Sequence, residues 1–335
     1  MRISRRKNLF AKEPRSGGEA QCGTIAGIVS PYEALARRLS RGECLVLDGG
    51  VGSELVRRGV RWRVNGLRTD TAIVAAVHDA YLEAGADVLR TNTFQLNRRS
   101  YRNVFRDAAH MRHIGAPDLE QRIPELVPRA VALALDARER SGRASVAIAG
   151  VMSPLEHCFR PDLAPADDAA RAEHAEIAQL LADSGVDLLL LESMNTIAEA
   201  RIAVEAARTT GLPVWVSFVI GADGHILSGE PLDSLGAEVI LASCAPPEDI
   251  DRALTGLLTQ NTPFGAYAHL GRFDPPSWKF EFFPQFSGTD TWPPERYASA
   301  ARRWRAQGAQ VIGGCCGAGP DHVRALKAEL SGALM

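Results

Sequence analysis

Two adjacent cysteines, Cys315 and Cys316, stand in the run Gly313-Gly314-Cys315-Cys316-Gly317. Adjacent strand residues point to opposite faces, so both thiols reach one point only where the backbone leaves strand geometry. The flanking glycines supply that freedom, because glycine reaches positive φ at little steric cost. A third thiol, Cys244, ends another short apolar run. Three chemistries are open to this set. A Cys315–Cys316 disulfide would be strained, because adjacent Cα atoms lie about 3.8 Å apart, below a usual range that starts near ~4.4 Å. The thiols are inert core groups in a second reading, since free cysteine is commonly buried. In the third, three thiolates hold Zn²⁺ at Zn–S distances near ~2.3 Å and leave a fourth position open, as catalytic zinc requires. Cys22, Cys44 and Cys158 have weaker claims: one lies far from any barrel pattern, one opens a strand, and one sits in the loop after the third strand. The eight histidines show no HxxxH spacing.

Other polar groups end apolar runs in the same way. Asp48-Gly49-Gly50-Val51-Gly52-Ser53 is a glycine-rich turn leading into a helix, and such a turn offers backbone N–H groups to an anion. It is not GxGxxG, so a substrate carboxylate suits it better than a nucleotide. Asp48 and Glu192 end the first and fourth runs and are candidates to hold a substrate ammonium. Their plainer roles are a helix cap for Asp48 and a satisfied loop carboxylate for Glu192. Thr91 and Asn92 contact a ligand or bond the local turn.

These groups converge only if the elements between them bring them to one face. The apolar runs Cys44–Asp48, Val88–Thr93, Ser145–Val151, Val186–Glu192, Val214–Ile220, Val239–Cys244, Phe264–His269 and Gln310–Cys315 suit parallel strands buried on both faces. Helical patterns lie between them, such as Thr71–Ala84, Asp167–Ser184 and Pro294–Gln307. EAGADVL, DSGVDLL and AQGAQVI each place a glycine where a helix would cap and feed a strand. Eight β-then-α units predict an α/β fold, a (β/α)8 TIM barrel forming a single domain over residues 44–330. A doubly wound sheet is the runner-up. The barrel requires functional groups at the C-terminal ends of its strands, where the thiols and carboxylates fall.

Composition agrees. A chain of 335 residues, 46% hydrophobic and 23% charged, is ordinary globular protein, which excludes disordered, collagenous and coiled-coil classes. The 38 basic and 40 acidic residues balance, so neither nucleic acid nor an anionic membrane is implied as a partner. No apolar run approaches the roughly 20 residues of a spanning helix. Six cysteines in this length do not make a disulfide scaffold. The expectation is a cytoplasmic protein whose partners are small molecules. Residues 1–43 read as a basic, non-periodic N-terminal extension, partly disordered, in which Pro31 to Arg41 forms a short amphipathic helix.

With these residues in hand, the sequence resembles the homocysteine S-methyltransferase family. The resemblance rests on VLDGGVGSEL, VHDAYLEAGADVLRTNTFQ, LLLLES, VWVSFVIGADGHILSGEPL, SCAPPE and WRAQGAQVIGGCCGAGPDHVRAL, and covers nearly all of residues 44–330. It implies a (β/α)8 barrel with zinc as cofactor, held by Cys244, Cys315 and Cys316. It also implies that Asp48 and Glu192 bind homocysteine and that the Gly49 region meets its carboxylate. Departures fall at Ser243, where the family usually has Asn, at Gly150–Pro154 and at Ala268–Gly271.

The implied reaction is methyl transfer to the thiol of homocysteine, giving methionine. Zinc deprotonates a coordinating thiol, and the thiolate is the nucleophile, so no protein group need act as acid or base. A three-thiolate set makes zinc a poor Lewis acid, which disfavours hydrolysis. No length remains for a folate-binding module, and the positions beside the motifs carry Gln95 and Ser193 in place of betaine-type aromatics. That leaves a sulfonium donor, S-methylmethionine or S-adenosylmethionine. Trp62 and the aromatics of the loop Arg272–Tyr297 are candidates to meet it, since aromatic faces attract cations. The alternatives are a non-catalytic or divergent zinc- or thiol-binding barrel, or transfer from another donor such as betaine.

Overall fold

The apolar runs become eight short parallel strands, in a computed structural model that describes residues 29–60, 66–100, 118, 120–273, 286–287 and 289–331. They are β1 Leu45–Val46, β2 Val88–Arg90, β3 Ala147–Met152, β4 Leu188–Met194, β5 Val214–Val219, β6 Val239–Ser243, β7 Phe264–Ala268 and β8 Val311–Gly314. Every strand position with a described side chain is buried, as strands covered on both faces must be. The sheet runs β1-β8-β7-β6-β5-β4-β3-β2. A parallel bridge from Leu47 to Val88 joins its two ends. There the Asp48 N–H donates to the Val88 carbonyl at 3.1 Å and the Asp87 N–H to the Val46 carbonyl at 2.7 Å. The sheet thus closes into a (β/α)8 barrel. A separate hairpin pairs Arg272–Phe273 with Phe286–Ser287.

Helix α1 Pro31–Ser40 precedes the strands, and helices α2 Val51–Arg57, α3 Thr71–Ala84, α4 Ile123–Ser141, α5 Asp168–Asp183, α6 Ile197–Arg208, α7 Pro247–Leu257, α8 Pro294–Ala306 and α9 Pro320–Ser331 cover the outside. Prolines open α7, α8 and α9, where a missing N–H costs nothing. The glycines expected to turn helix into strand, Gly85, Gly185 and Gly308, have φ of 103°, 89° and 104°. One expected unit differs. Residues 220–238, between β5 and β6, contain no helix. Four glycines and Pro231 break any helical period there, and the chain instead folds back through an antiparallel bridge from Ile220 to Ile226.

Helix α1 lies beneath the barrel. A capping box between Ser30 and Glu33 starts it. Leu35 and Leu39 then join the interior cluster of Leu45, Leu47, Val88 and Val311, so the N-terminal end of the barrel is plugged by apolar side chains. Asp87 fixes the plug: it accepts from Arg38 and Lys327, each at 2.9 Å, and from the Val46 N–H at 2.9 Å. Among the described residues no helix is long and apolar enough to cross a membrane. Cys22 and Trp62 lie outside the described residues, as do Trp278, Phe280, Phe282 and Phe283 of the aromatic loop.

Candidate functional site

With the lower end filled, the C-terminal strand ends are left open, and a cavity lies there. Its wall is made by Gly50–Ser53 after β1, by Arg90, Thr91, Asn92, Phe94 and Gln95 at the end of β2, and by His157, Cys158 and Phe159 after β3. Glu192 and Ser193 of β4, Cys244 after β6, and Cys315 and Cys316 after β8 complete it.

The three expected sulfurs meet in this cavity. All are free thiols, and the Sγ atoms of Cys244 and Cys315 are 2.7 Å apart. Hydrogen bonds from Cys244 and Cys316 hold the Cys315 thiol well below its ordinary range, with Arg90 adding a favourable charge, while burial opposes the shift. The same contacts, with burial, push the Cys244 and Cys316 thiols up. Among the described residues no group of three or more His, Cys, Asp and Glu is spread as a metal cage. Cys244 and Cys315 stand closer than the ~3.8 Å kept by two sulfurs each ~2.3 Å from a tetrahedral zinc. The donor chemistry fits zinc all the same: three soft ligands from two strand ends share one buried wall. Cys158 lines the same wall, 4% exposed, and burial pushes its thiol up.

Three cavity residues share an uncommon backbone. Gln95, Ser193 and Cys244 have φ of 57°, 60° and 48°, in the left-handed region that non-glycine residues seldom adopt. Such strain persists where surrounding contacts fix it. The contacts are visible at Ser193: its N–H donates to Ser217 Oγ at 2.8 Å, and its hydroxyl lies 3.1 Å from Cys244 Sγ. Ser217 in turn pairs with the buried Tyr267 hydroxyl. Ser243 donates to the Phe218 carbonyl at 2.9 Å, so this departure from the family serves the wall beneath the thiols.

The carboxylates are arranged differently from the expectation. Asp48 is fully buried and, with Gly49, sits behind the cavity wall. Its Oδ1 accepts from Arg90 Nε at 2.6 Å and its Oδ2 from the Arg90 N–H at 2.9 Å. Glu192 does line the cavity, and its Oε1 accepts from Nη1 of the same guanidinium. Arg90 Nη2 donates to the carbonyls of Gly49 at 2.6 Å and Gly314 at 2.7 Å, and its guanidinium lies 5.0 Å over the Tyr267 ring. Burial raises both carboxyls, Glu192 to about 7, against the pull of Arg90. A Cβ on Gly49 would stand 2.2 Å from the Ala318 carbonyl oxygen, so this glycine serves close packing. Thr91 reaches the cavity with its hydroxyl already engaged by the Val151 N–H at 3.0 Å and Thr93 at 2.8 Å. Asn92 lines the wall.

Arg90 was not among the residues singled out from the sequence. Its signal was present: an arginine inside an apolar strand requires buried partners. Phe94, His157 and Phe159 were also missed, because loop residues carry no period. Burial lowers His157 to about 3 and His269 to about 4, so both rings are neutral. Of the loop aromatics, Trp292 lies under the Arg296 guanidinium, 4.1 Å from its ring centre, and its face is already occupied.

The family model described as homocysteine S-methyltransferase matches residues 45–330. Homocysteine S-methyltransferase YbgG of Bacillus subtilis is 27% identical, over 85% of this chain and 93% of that protein. S-methylmethionine–homocysteine S-methyltransferase BHMT2 of Rattus norvegicus is 26% identical, over 89% and 82%. Betaine–homocysteine S-methyltransferase 1 of Bos taurus is 25% identical, over 91% and 77%. The crystal structure of the homocysteine methyltransferase MmuM from Escherichia coli, in its metallated form, has the same fold: the TM-score is 0.70 at 24% identity, over 89% of this chain and 99% of that one.

Proposed function

The chain belongs to the homocysteine S-methyltransferase family, and from that premise we propose that its cavity transfers a methyl group from a sulfonium donor to the thiol of homocysteine, forming methionine. The observation that carries this reading is the meeting of Cys244, Cys315 and Cys316 on one buried wall at the barrel's open end. These three residues would hold zinc. When bound, zinc would supply the deprotonation that turns a thiol of pKa about 8.5 into a nucleophile at neutral pH.

The chain's own groups bind and orient. Glu192 faces the cavity and would take the homocysteine ammonium with its second oxygen, the first being held by Arg90. Asn92 and the Gly50–Ser53 turn would bind the other polar end. Phe94 and Phe159 offer apolar walls to the donor, and aromatic faces favour a sulfonium. The methyl carbon leaves the donor sulfur, which keeps the bonding pair, and bonds to the acceptor sulfur in line; the acceptor's proton goes to solvent. Because the sulfonium leaves as a neutral thioether, no side chain has to protonate it. Holding both sulfurs in line is then the barrel's main contribution.

The test combines metal analysis with a donor panel. The purified protein should carry about one zinc per chain, lost in Cys315→Ala, and should form methionine from homocysteine with S-methylmethionine or S-adenosylmethionine. Full activity in a zinc-free protein would defeat the metal assignment. Turnover with betaine alone would defeat the sulfonium assignment.

A further inference from the structure

We propose that Arg90 sets the acceptor specificity of this barrel: by pairing Asp48 and Glu192 internally, it lets the site accept thiols that bring no ammonium group. The proposal rests on reading the cavity as a thiol methyltransferase site. It deepens that reading by naming the acceptor class, short thiols that carry a carboxylate with or without an amino group.

The argument is one of orphaned charges. A site built to bind a substrate cation with buried carboxylates rejects the analogue without that cation, because the carboxylates are then left unpaired. Here they are never unpaired. Arg90 is 3% exposed and Asp48 is fully buried. Nε and the main-chain N–H of Arg90 occupy both oxygens of Asp48, and Nη1 holds one oxygen of Glu192. Nη2 is fixed by the Gly49 and Gly314 carbonyls, so the guanidinium cannot swing away to expose the pair. Only the second oxygen of Glu192 is left to meet a ligand. An incoming ammonium gains one contact beside a resident cation, and its absence costs little. The Gly50–Ser53 turn and Asn92 also line the cavity, carry no charge, and serve both kinds of acceptor alike.

The experiment compares homocysteine with 4-mercaptobutyrate, which is homocysteine without its amino group, as acceptors from S-methylmethionine or S-adenosylmethionine. A carboxylate cage that waits for ammonium would favour homocysteine by about 10⁴-fold or more in kcat/KM. The native protein should favour it by less than about a hundredfold, and a larger preference overturns the proposal. Arg90→Met removes the guanidinium from both carboxylates and leaves Glu192, the one that lines the cavity, to be paired by the substrate. Its preference for homocysteine should rise by about tenfold or more over the native ratio; an unchanged ratio overturns the proposal. The ratio separates this role from a structural one, because a merely loosened fold weakens both acceptors together. Should Arg90→Met fail to fold, Asp48→Asn decides: it should reduce both acceptors equally, and a loss confined to homocysteine would return Asp48 to the ammonium and overturn the proposal. No methyl transfer to any thiol from either donor would instead defeat the methyltransferase reading and this proposal with it.

Discussion

At the scale of single residues, four cavity thiols compete for one role, and burial alone does not sort them. Cys158, Cys244 and Cys315 are nearly equally buried, at 4%, 6% and 6% exposure. What separates them is contact. Cys315 touches Cys244 and hydrogen-bonds with Cys316, whereas Cys158 meets Cys315 only through its charge. Cys158→Ala should therefore keep the full metal content, while Cys316→Ala should lose most of it. Metal analysis of the two variants side by side checks this, and the reverse order would replace Cys316 by Cys158 in the set. Cysteine positions were legible in the sequence because chemistry and flanking glycines mark them. The partner of Asp48 was not legible. A carboxylate at a strand end reads as a ligand group until its partner is known, and Arg90 lies 42 positions away.

At the scale of elements, the ends of strands and the turns after them position everything the cavity uses. Strand runs were legible because burial on both faces leaves continuous apolar stretches, and helix starts because proline and glycine punctuate them. The segment after β5 was less legible: its place in the alternation suggested a helix, and only its glycines argued otherwise. The left-handed conformations of Gln95, Ser193 and Cys244 were invisible, because none is the glycine that such a backbone usually advertises. At the end of β8 the glycines are needed for closeness. A Cβ on Gly314 would lie 2.3 Å from the Ala318 Cβ, and the Gly314 carbonyl also accepts from Arg90. Gly314→Ala should cost about 1–3 kcal/mol by overpacking and displace the cysteines that follow. A lowered melting temperature together with reduced metal content is the expected result. A stable variant with full metal would show that the turn yields without moving the thiols.

At the scale of the whole molecule, a barrel closed at one end by α1 and open at the other confines its polar chemistry to a single mouth, and the rest must stay dry. That dryness has a consequence in acid. His78, on α3, is fully buried, and neither ring nitrogen has a hydrogen-bond partner among the described residues. Burial, with a smaller contribution from Arg140, lowers its pKa to about 4, from about 6.5 in an unfolded chain. Between those two values the unfolded chain binds a proton that the folded one refuses, so stability rises with pH across that window and is lost as pH falls through it. For His78 alone the loss from pH 7 to pH 5 is about 2 kcal/mol, and His157 and His269, lowered in the same way, steepen it. His78→Leu removes the titrating group and its two orphaned nitrogens while keeping most of the volume. At pH 7 it should match or exceed the parent in stability, since an unpaired buried polar group is replaced by an apolar one. At pH 5 it should retain about 2 kcal/mol that the parent loses. Urea unfolding of both proteins at the two pH values measures the difference, and an equal loss in the two would mean that the His78 ring is already protonated in the folded barrel.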